Sequence, residues 1–170
     1  MQSLNFFKKI DLLSINRDMP PISLEYMLDI DSCSYLQKRF DFIEVSNVIL
    51  SANIKKISIN CWELEGDLVA QITQKCVVTC KPVKEKLEIK LKERYVLQAE
   101  CASMIAEIDI GEPNIEVLET NLLDINEFIA QIIGVEAESF PKLYSISETH
   151  FFESEDKKEN PFAKLASLKK

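Results

Sequence analysis

The sequence predicts an α+β fold: a curved antiparallel β-sheet, partly barrel-like, packed with about two helices and followed by a flexible C-terminal arm. Residues 54–95 show the period of two that is typical of strands, and apolar residues recur at helical spacing in two other stretches. The composition turns polar after Ser145, which predicts the arm. We therefore divide the chain into a single domain at 1–145, a polar linker at 146–159 and a docking motif at 160–170.

Length and composition are ordinary for one globular domain: the chain has 170 residues, of which 46% are hydrophobic and 28% charged. No apolar run approaches the roughly 20 residues that span a bilayer. The N-terminus lacks the pattern of a signal peptide. We therefore expect a cytoplasmic protein, or one imported without a visible signal, and no membrane partner.

The first predicted elements are a strand and a helix. Residues 4–16 are rich in apolar side chains and predict a strand, which the prolines at 20–21 end. From 32 to about 45, apolar residues recur at helical spacing, and Asp31 or Ser32 is a candidate N-cap.

Two longer strands follow, at 54–64 and 68–80. The Glu-Gly-Asp sequence between them is the best hairpin turn in the chain, because Gly66 is free to adopt a positive φ. Trp62, near the end of the first strand, is interpreted as a core or half-buried residue in preference to a platform on which bases stack.

A third strand, after a turn at Lys81 and Pro82, separates charged from apolar residues. The charged residues would share one face of this strand. That face is either the solvated side of a sheet, where lysines are common, or a surface for an anionic partner, most naturally RNA through its phosphates. The candidate RNA-binding residues are Lys84, Lys86, Lys90, Lys92 and Arg94, which share one face with Glu88, whereas Leu87, Ile89, Leu91 and Tyr95 share the other.

The end of the domain predicts a short strand at 115–118 and one well-marked helix. Asp124 is a suitable N-cap, Glu127 stands at the capping-box spacing, and Gly134 is a suitable C-terminal stop. The apolar stripe between them predicts a helix that lies on the sheet.

The net charge of −8 is unevenly distributed. Residues 75–94 hold seven basic and three acidic side chains, whereas residues 101–156 hold thirteen acidic side chains and one lysine. The chain is therefore polarised, and its total charge alone does not exclude nucleic acid as a partner.

The five cysteines show no spacing typical of secreted disulfide frameworks. If residues 68–80 form a strand, Cys76 and Cys80 lie about 13 Å apart on one face, too far for one metal ion or a disulfide. A break in the strand, with a third cysteine contributing, is the alternative. We expect buried structural thiols, no metal and no cofactor.

Catalytic signals are weak. Three glycines cannot form a Gly-rich phosphate loop, the acidic residues show no paired-carboxylate pattern, and the single histidine, His150, lies in the polar stretch. The sequence therefore indicates a protein that is not an enzyme and has no catalytic residues.

The last eleven residues combine apolar side chains at helical spacing with several lysines. An apolar helical peptide on a polar tether is typical of docking segments, and a frayed tail is the alternative. The candidate docking residues are Asn160, Pro161, Phe162, Leu165 and Leu168.

Three stretches together resemble the YceD family, the large ribosomal RNA subunit accumulation proteins. They are Gly66-Asp67-Leu68-Val69-Ala70-Gln71-Ile72 with Cys76-Val77-Val78-Thr79-Cys80-Lys81-Pro82-Val83, then Asp124-Ile125-Asn126-Glu127-Phe128 with Phe140-Pro141, then Asn160-Pro161-Phe162-Ala163-Lys164-Leu165-Ala166. The resemblance implies a non-enzymatic protein needed for normal levels of large-subunit ribosomal RNA. Some relatives carry C-x-x-C in the central block, where this chain has Thr79 in place of the second cysteine.

The resulting hypothesis is a ribosome-biogenesis factor that binds large-subunit ribosomal RNA or a pre-ribosomal particle, with a ribosomal protein as a further candidate partner. The alternative is an adaptor whose acidic region, 101–156, binds a basic ribosomal protein or assembly factor. Sequence reasoning leaves both open.

Overall fold

A computed structural model describes residues 9–97 and 114–143 and shows an α+β architecture. Neither helix in these ranges is long and apolar enough to cross a membrane. The elements are β1 (Lys9–Asp11), β2 (Ile22–Met27), α1 (Ile30–Phe40), β3 (Glu44–Ser58), β4 (Cys61–Lys75), β5 (Pro82–Leu97), β6 (Asn114–Leu118), β7 (Leu122–Asp124) and α2 (Ile125–Glu136).

The main sheet has five strands in the order β2-β3-β4-β5-β6, and β1 pairs with β7 in a separate two-stranded ribbon. Neighbours from β2 to β5 are antiparallel, as predicted, but β6 runs parallel to β5. Because β2 and β6 do not pair, the described sheet is open and does not form a barrel.

Both helices pack on one face of this sheet. Phe128 of α2 contacts the ring of Tyr95 edge-on, with 6.3 Å between the ring centroids. Leu36 of α1 and Ile129 of α2 are buried in the same core, together with Leu68 of β4. Burial of this apolar face supplies the main driving force for the fold.

The N-terminal elements differ in detail from those predicted. Within the described part of 4–16, the strand covers only β1, because Asp11 caps a short 3-10 turn by accepting a hydrogen bond from the N–H of Leu13. Helix α1 starts earlier than predicted, with Asp29 as its N-cap, and ends at Phe40 because Asp41 adopts a left-handed φ of 56°.

The predicted hairpin turn at Gly66 is wrong. The chain reverses at Ile59 and Asn60, where Asn60 has a left-handed φ of 54°, so that the predicted strand 54–64 spans the turn between β3 and β4. Gly66 does not have a positive φ; it lies inside β4, between Ala52 of β3 and Leu91 of β5. Trp62 is fully buried, in agreement with the prediction of a core or half-buried residue.

The prediction of α2 is confirmed at its start. Asp124 accepts hydrogen bonds from the N–H groups of Asn126 and Glu127. Its end differs: the helix continues past Gly134 to Glu136, and Gly134 lies where α2 meets the ring of Phe40 in α1. The predicted strand at 115–118 matches β6 to within one residue.

Candidate nucleic-acid interface

The predicted basic row lies on the face of the sheet opposite the helices. Even-numbered positions of β5 from 84 to 92 are exposed, and the positions between them are buried or half-buried, as the period of two predicts. No element in the described ranges covers the row. Its members are Lys84, Lys86, Glu88, Lys90 and Lys92.

The row also follows a sheet edge. Strand β6 pairs only with residues 93–97 of β5, and no other described strand pairs with residues 82–92 on that side. Edge strands expose unpaired backbone groups, and lysines along them discourage pairing with other chains. The same side chains could therefore protect the edge, contact an anionic partner, or do both.

Acidic residues of β4 partly balance the row at one end. Lys92 pairs with Glu65, with 3.1 Å between Nζ and Oε1, and Lys90 stands opposite Asp67. Arg94 contacts the buried Glu63, with 3.3 Å between Nε and Oε2. This end of the row is therefore a mixture of charges.

Glu63 is held in a tight network. Lys55 lies 2.7 Å from its carboxylate on the side opposite Arg94, and the hydrogen bond from Lys55, reinforced by Arg94, lowers the pKa of Glu63. Arg94 is only partly exposed. Of the candidate RNA-binding residues, Arg94 is therefore the one whose charge is most committed to the fold.

The other end of the row is more basic. Lys84 and Lys86 stand opposite Thr73 and Gln71, which are neutral. Lys86 pairs with its neighbour on the same face, Glu88. Lys84 and Lys90 make no ion pair with any residue the structure describes.

The hairpin end adds two cations that sequence reasoning did not select. Lys75 ends β4 and Lys81 precedes β5, and both are exposed beside this end of the row. The signal for them was the density of basic residues in 75–94, but the candidates were chosen by strand alternation alone. The position of Lys75 and Lys81 beside the row becomes visible only when β4 pairs with β5. In that pairing Lys75 stands opposite Pro82, and Lys81 directly precedes Pro82.

The predicted strand 68–80 ends at Lys75, so the prediction that Cys76 and Cys80 lie 13 Å apart on one strand face is wrong. Residues 76–80 form a turn in which the N–H of Cys80 donates to the carbonyl of Cys76 at 2.9 Å. Cys76 is buried, whereas Cys80 is exposed and has a left-handed φ of 58°. Within the described ranges, no group of three or more His, Cys, Asp or Glu side chains is arranged to hold a metal ion.

Trp62 is unavailable for stacking against a base. Its side chain is fully buried, and the ammonium of Lys56 lies 5.1 Å from the centroid of its ring. Nucleic-acid binding on this face would therefore depend on the charged residues of β5.

Several predictions lie outside the described residues. These are the polar linker at 146–159 and the docking motif with Asn160, Pro161, Phe162, Leu165 and Leu168, as well as residues 101–113 and 144–156 of the acidic region at 101–156.

No protein-family model, curated protein or solved structure matches the chain. The resemblance to the YceD family remains a prediction from the sequence motifs.

Proposed function

We propose that this chain is a non-enzymatic cytoplasmic factor that supports accumulation or processing of large-subunit ribosomal RNA by binding RNA or a pre-ribosomal particle. The observation that most supports the proposal is the exposed lysine row of β5 on the face of the sheet that no described element covers. Lysine ammonium groups neutralise phosphates without reading the bases, so the expected binding depends strongly on salt and weakly on sequence.

Lys84 and Lys90 are the preferred phosphate contacts because neither is held in an ion pair by a described residue. They lie six positions apart on one face, about 20 Å along the strand, so the row is long enough to follow several phosphates. Lys75 and Lys81 extend it at the hairpin end. The docking motif at 160–170 is proposed to bind RNA or a ribosomal protein at a second point.

The competing role, protection of the sheet edge, can be separated from phosphate binding by the sign of the charge. The variant Lys84→Glu/Lys90→Glu keeps charged side chains on the edge but repels phosphate, whereas Lys84→Gln/Lys90→Gln removes the charge. If the lysines bind RNA, both variants lose affinity, and the glutamate variant loses more. If they only protect the edge, the glutamate variant binds RNA as the wild type does.

The measurement is fluorescence anisotropy with a transcript of large-subunit ribosomal RNA over a range of salt concentrations. The slope of log K against log salt is negative, and loss of two phosphate contacts makes it shallower by about 1.4 for single-stranded RNA. The variant Lys9→Gln/Lys38→Gln is the control for the glutamine variant, because it removes the same number of positive charges at two exposed positions on β1 and α1. Equal affinity and slope in wild type and all variants would remove the row from the proposal.

Sedimentation of a cell lysate tests the biological partner. Comigration with large-subunit precursors that is lost when residues 160–170 are removed supports ribosome assembly and makes the motif an anchor. Ribonuclease treatment distinguishes the adaptor alternative, because association through the acidic region survives digestion of RNA. A protein that remains at the top of the gradient, with and without the motif, does not bind these particles stably.

A further inference from the structure

The turn between β4 and β5 brings two cysteines close together. The N–H of Cys76 donates to the carbonyl of Lys81 at 2.8 Å, which closes the hairpin, and the N–H of Cys80 donates to the carbonyl of Cys76 at 2.9 Å. A hydrogen bond from residue i+4 to residue i is one turn of α-helix, in which the two Cα atoms lie about 6 Å apart. This is the separation at which most disulfides are found.

The two thiols have different environments. Cys80 is exposed to solvent, whereas Cys76 is only 1% exposed. The Thr79 side chain and the backbone N–H groups of Leu143, Thr79 and Val78 favour the thiolate form of Cys76. Their effect outweighs that of desolvation and lowers the pKa of Cys76 to about 7.

The other described cysteines are unlike Cys76. Burial raises the pKa of both Cys33 and Cys61, so their thiols remain protonated at neutral pH. Neither belongs to the turn. The hairpin therefore combines an accessible thiol with a partner sulfur that is stabilised as a thiolate.

We propose that Cys76 and Cys80 form a reversible intramolecular disulfide. In the first step, the thiolate of Cys80 attacks a small-molecule disulfide, forms a mixed disulfide and releases one small thiolate. In the second step, the thiolate of Cys76 attacks the sulfur of Cys80, forms the Cys76–Cys80 bond and releases the second small thiolate. The two cysteines are oxidised by two electrons, the small disulfide is reduced to two thiols, and protons lost by the cysteines are taken up by the released thiolates.

The bond would also change the contact between the hairpin and the chain after α2. In the reduced form, the backbone N–H of Leu143 stabilises the thiolate of Cys76, and the N–H of Val77 donates to the carbonyl of Pro141 at 2.9 Å. Once it is bonded to Cys80, the sulfur of Cys76 loses its negative charge and becomes a weak acceptor. Oxidation is therefore expected to speed the hydrogen exchange of the Leu143 amide, while the amide of Leu28, which donates to Val48 at 3.0 Å, is unchanged.

The test treats the reduced, full-length protein with mixtures of oxidised and reduced glutathione, blocks remaining thiols and maps the products by mass spectrometry. Trypsin leaves both cysteines in the peptide 76–84, because Lys81 precedes a proline. The expected product is this peptide without blocking groups and lighter by two hydrogens. Dithiothreitol should restore the two free thiols.

Two variants identify the order of steps. Cys76→Ser should accumulate a glutathione adduct on Cys80, because the second step is lost, and Cys80→Ser should leave Cys76 as a free thiol, because the buried sulfur does not meet the oxidant. Cys33→Ser is the control and should behave as wild type. A wild-type protein that retains glutathione on Cys80, or that joins Cys80 to a different cysteine or a second chain, overturns the proposal.

Discussion

Replacing Gly66 by alanine is the sharpest test of how β3 and β4 pack. A Cβ atom at this position would lie 2.3 Å from the backbone oxygen of Ser51 and 2.4 Å from the Cα of Ala52. The first distance is roughly 1 Å short of the 3.4 Å at which ordinary contact begins. Because both atoms belong to the backbone of β3, no change of side-chain rotamer can relieve the overlap.

The expected change in the free energy of unfolding of Gly66→Ala combines two opposing effects. Alanine in place of a strand glycine would by itself raise stability by about 0.5–1 kcal/mol, since glycine loses more entropy on folding. Moving the backbone to admit the extra carbon costs about 1–3 kcal/mol or more, and each ladder hydrogen bond lost as the strands separate costs about 1 kcal/mol. We expect a net loss of about 2–4 kcal/mol, a large part of the usual 5–15 kcal/mol total.

Urea unfolding of wild type and Gly66→Ala, followed by circular dichroism, measures this difference. The double variant Gly66→Ala/Ala52→Gly should remain unstable, because the overlap with Ser51 persists. A matched contrast is Gly134→Ala, whose Cβ meets the Phe40 ring at 2.7 Å. That overlap involves a side chain, which a smaller residue can relieve. Adding Phe40→Leu should therefore allow the variant to gain the stability that alanine in place of glycine provides in a helix. A Gly66→Ala variant as stable as wild type would refute the close approach of the strands.

Three further changes test local features. Asp124→Ala should lower the free energy of unfolding by about 1 kcal/mol, because it removes the acceptor for two amides at the start of α2; thermal denaturation measures the loss. The hydrogen bond from Arg39 lowers the pKa of Glu127 in the folded protein. The stability difference between wild type and Glu127→Gln should therefore be fully present above the ordinary pKa of 4.5 and disappear as the pH falls through the lower pKa of the folded state. Unfolding curves across the acid range check this, and a difference that grows towards low pH contradicts it. Cys80→Gly should raise stability in reducing buffer by about 1 kcal/mol, because a residue other than glycine is strained at a φ of 58°; a lower midpoint in urea would indicate that the cysteine side chain contributes more than the strain costs.

Local chemistry made some features readable from the sequence. Asp124 begins α2 because its carboxylate satisfies amides two and three residues ahead, and the alternation along β5 follows from the pleat of any strand. Burial of Trp62, at least in part, was also predicted. Each of these depends on neighbours in the chain or on a strong preference for burial.

The errors had a different origin, because the same residues have more than one local interpretation. Glu65, Gly66 and Asp67 are typical of a turn, yet Leu64, Gly66 and Leu68 are also in phase on one strand face, and only the position of β3 shows why glycine is needed there. Likewise, Asn60 lies in the turn because the register between β3 and β4 pairs Ser58 with Cys61.

The sequence by itself determined that this chain forms an α+β domain with a basic row along one strand, because periodicity and charge are properties of the chain. Only the tertiary structure decided which of those charges are held in ion pairs, since Glu63 and Glu65 come opposite Arg94 and Lys92 through strand pairing. It also decided that Cys76 and Cys80 share a tight turn, because the hairpin closes through backbone hydrogen bonds that no side-chain pattern encodes.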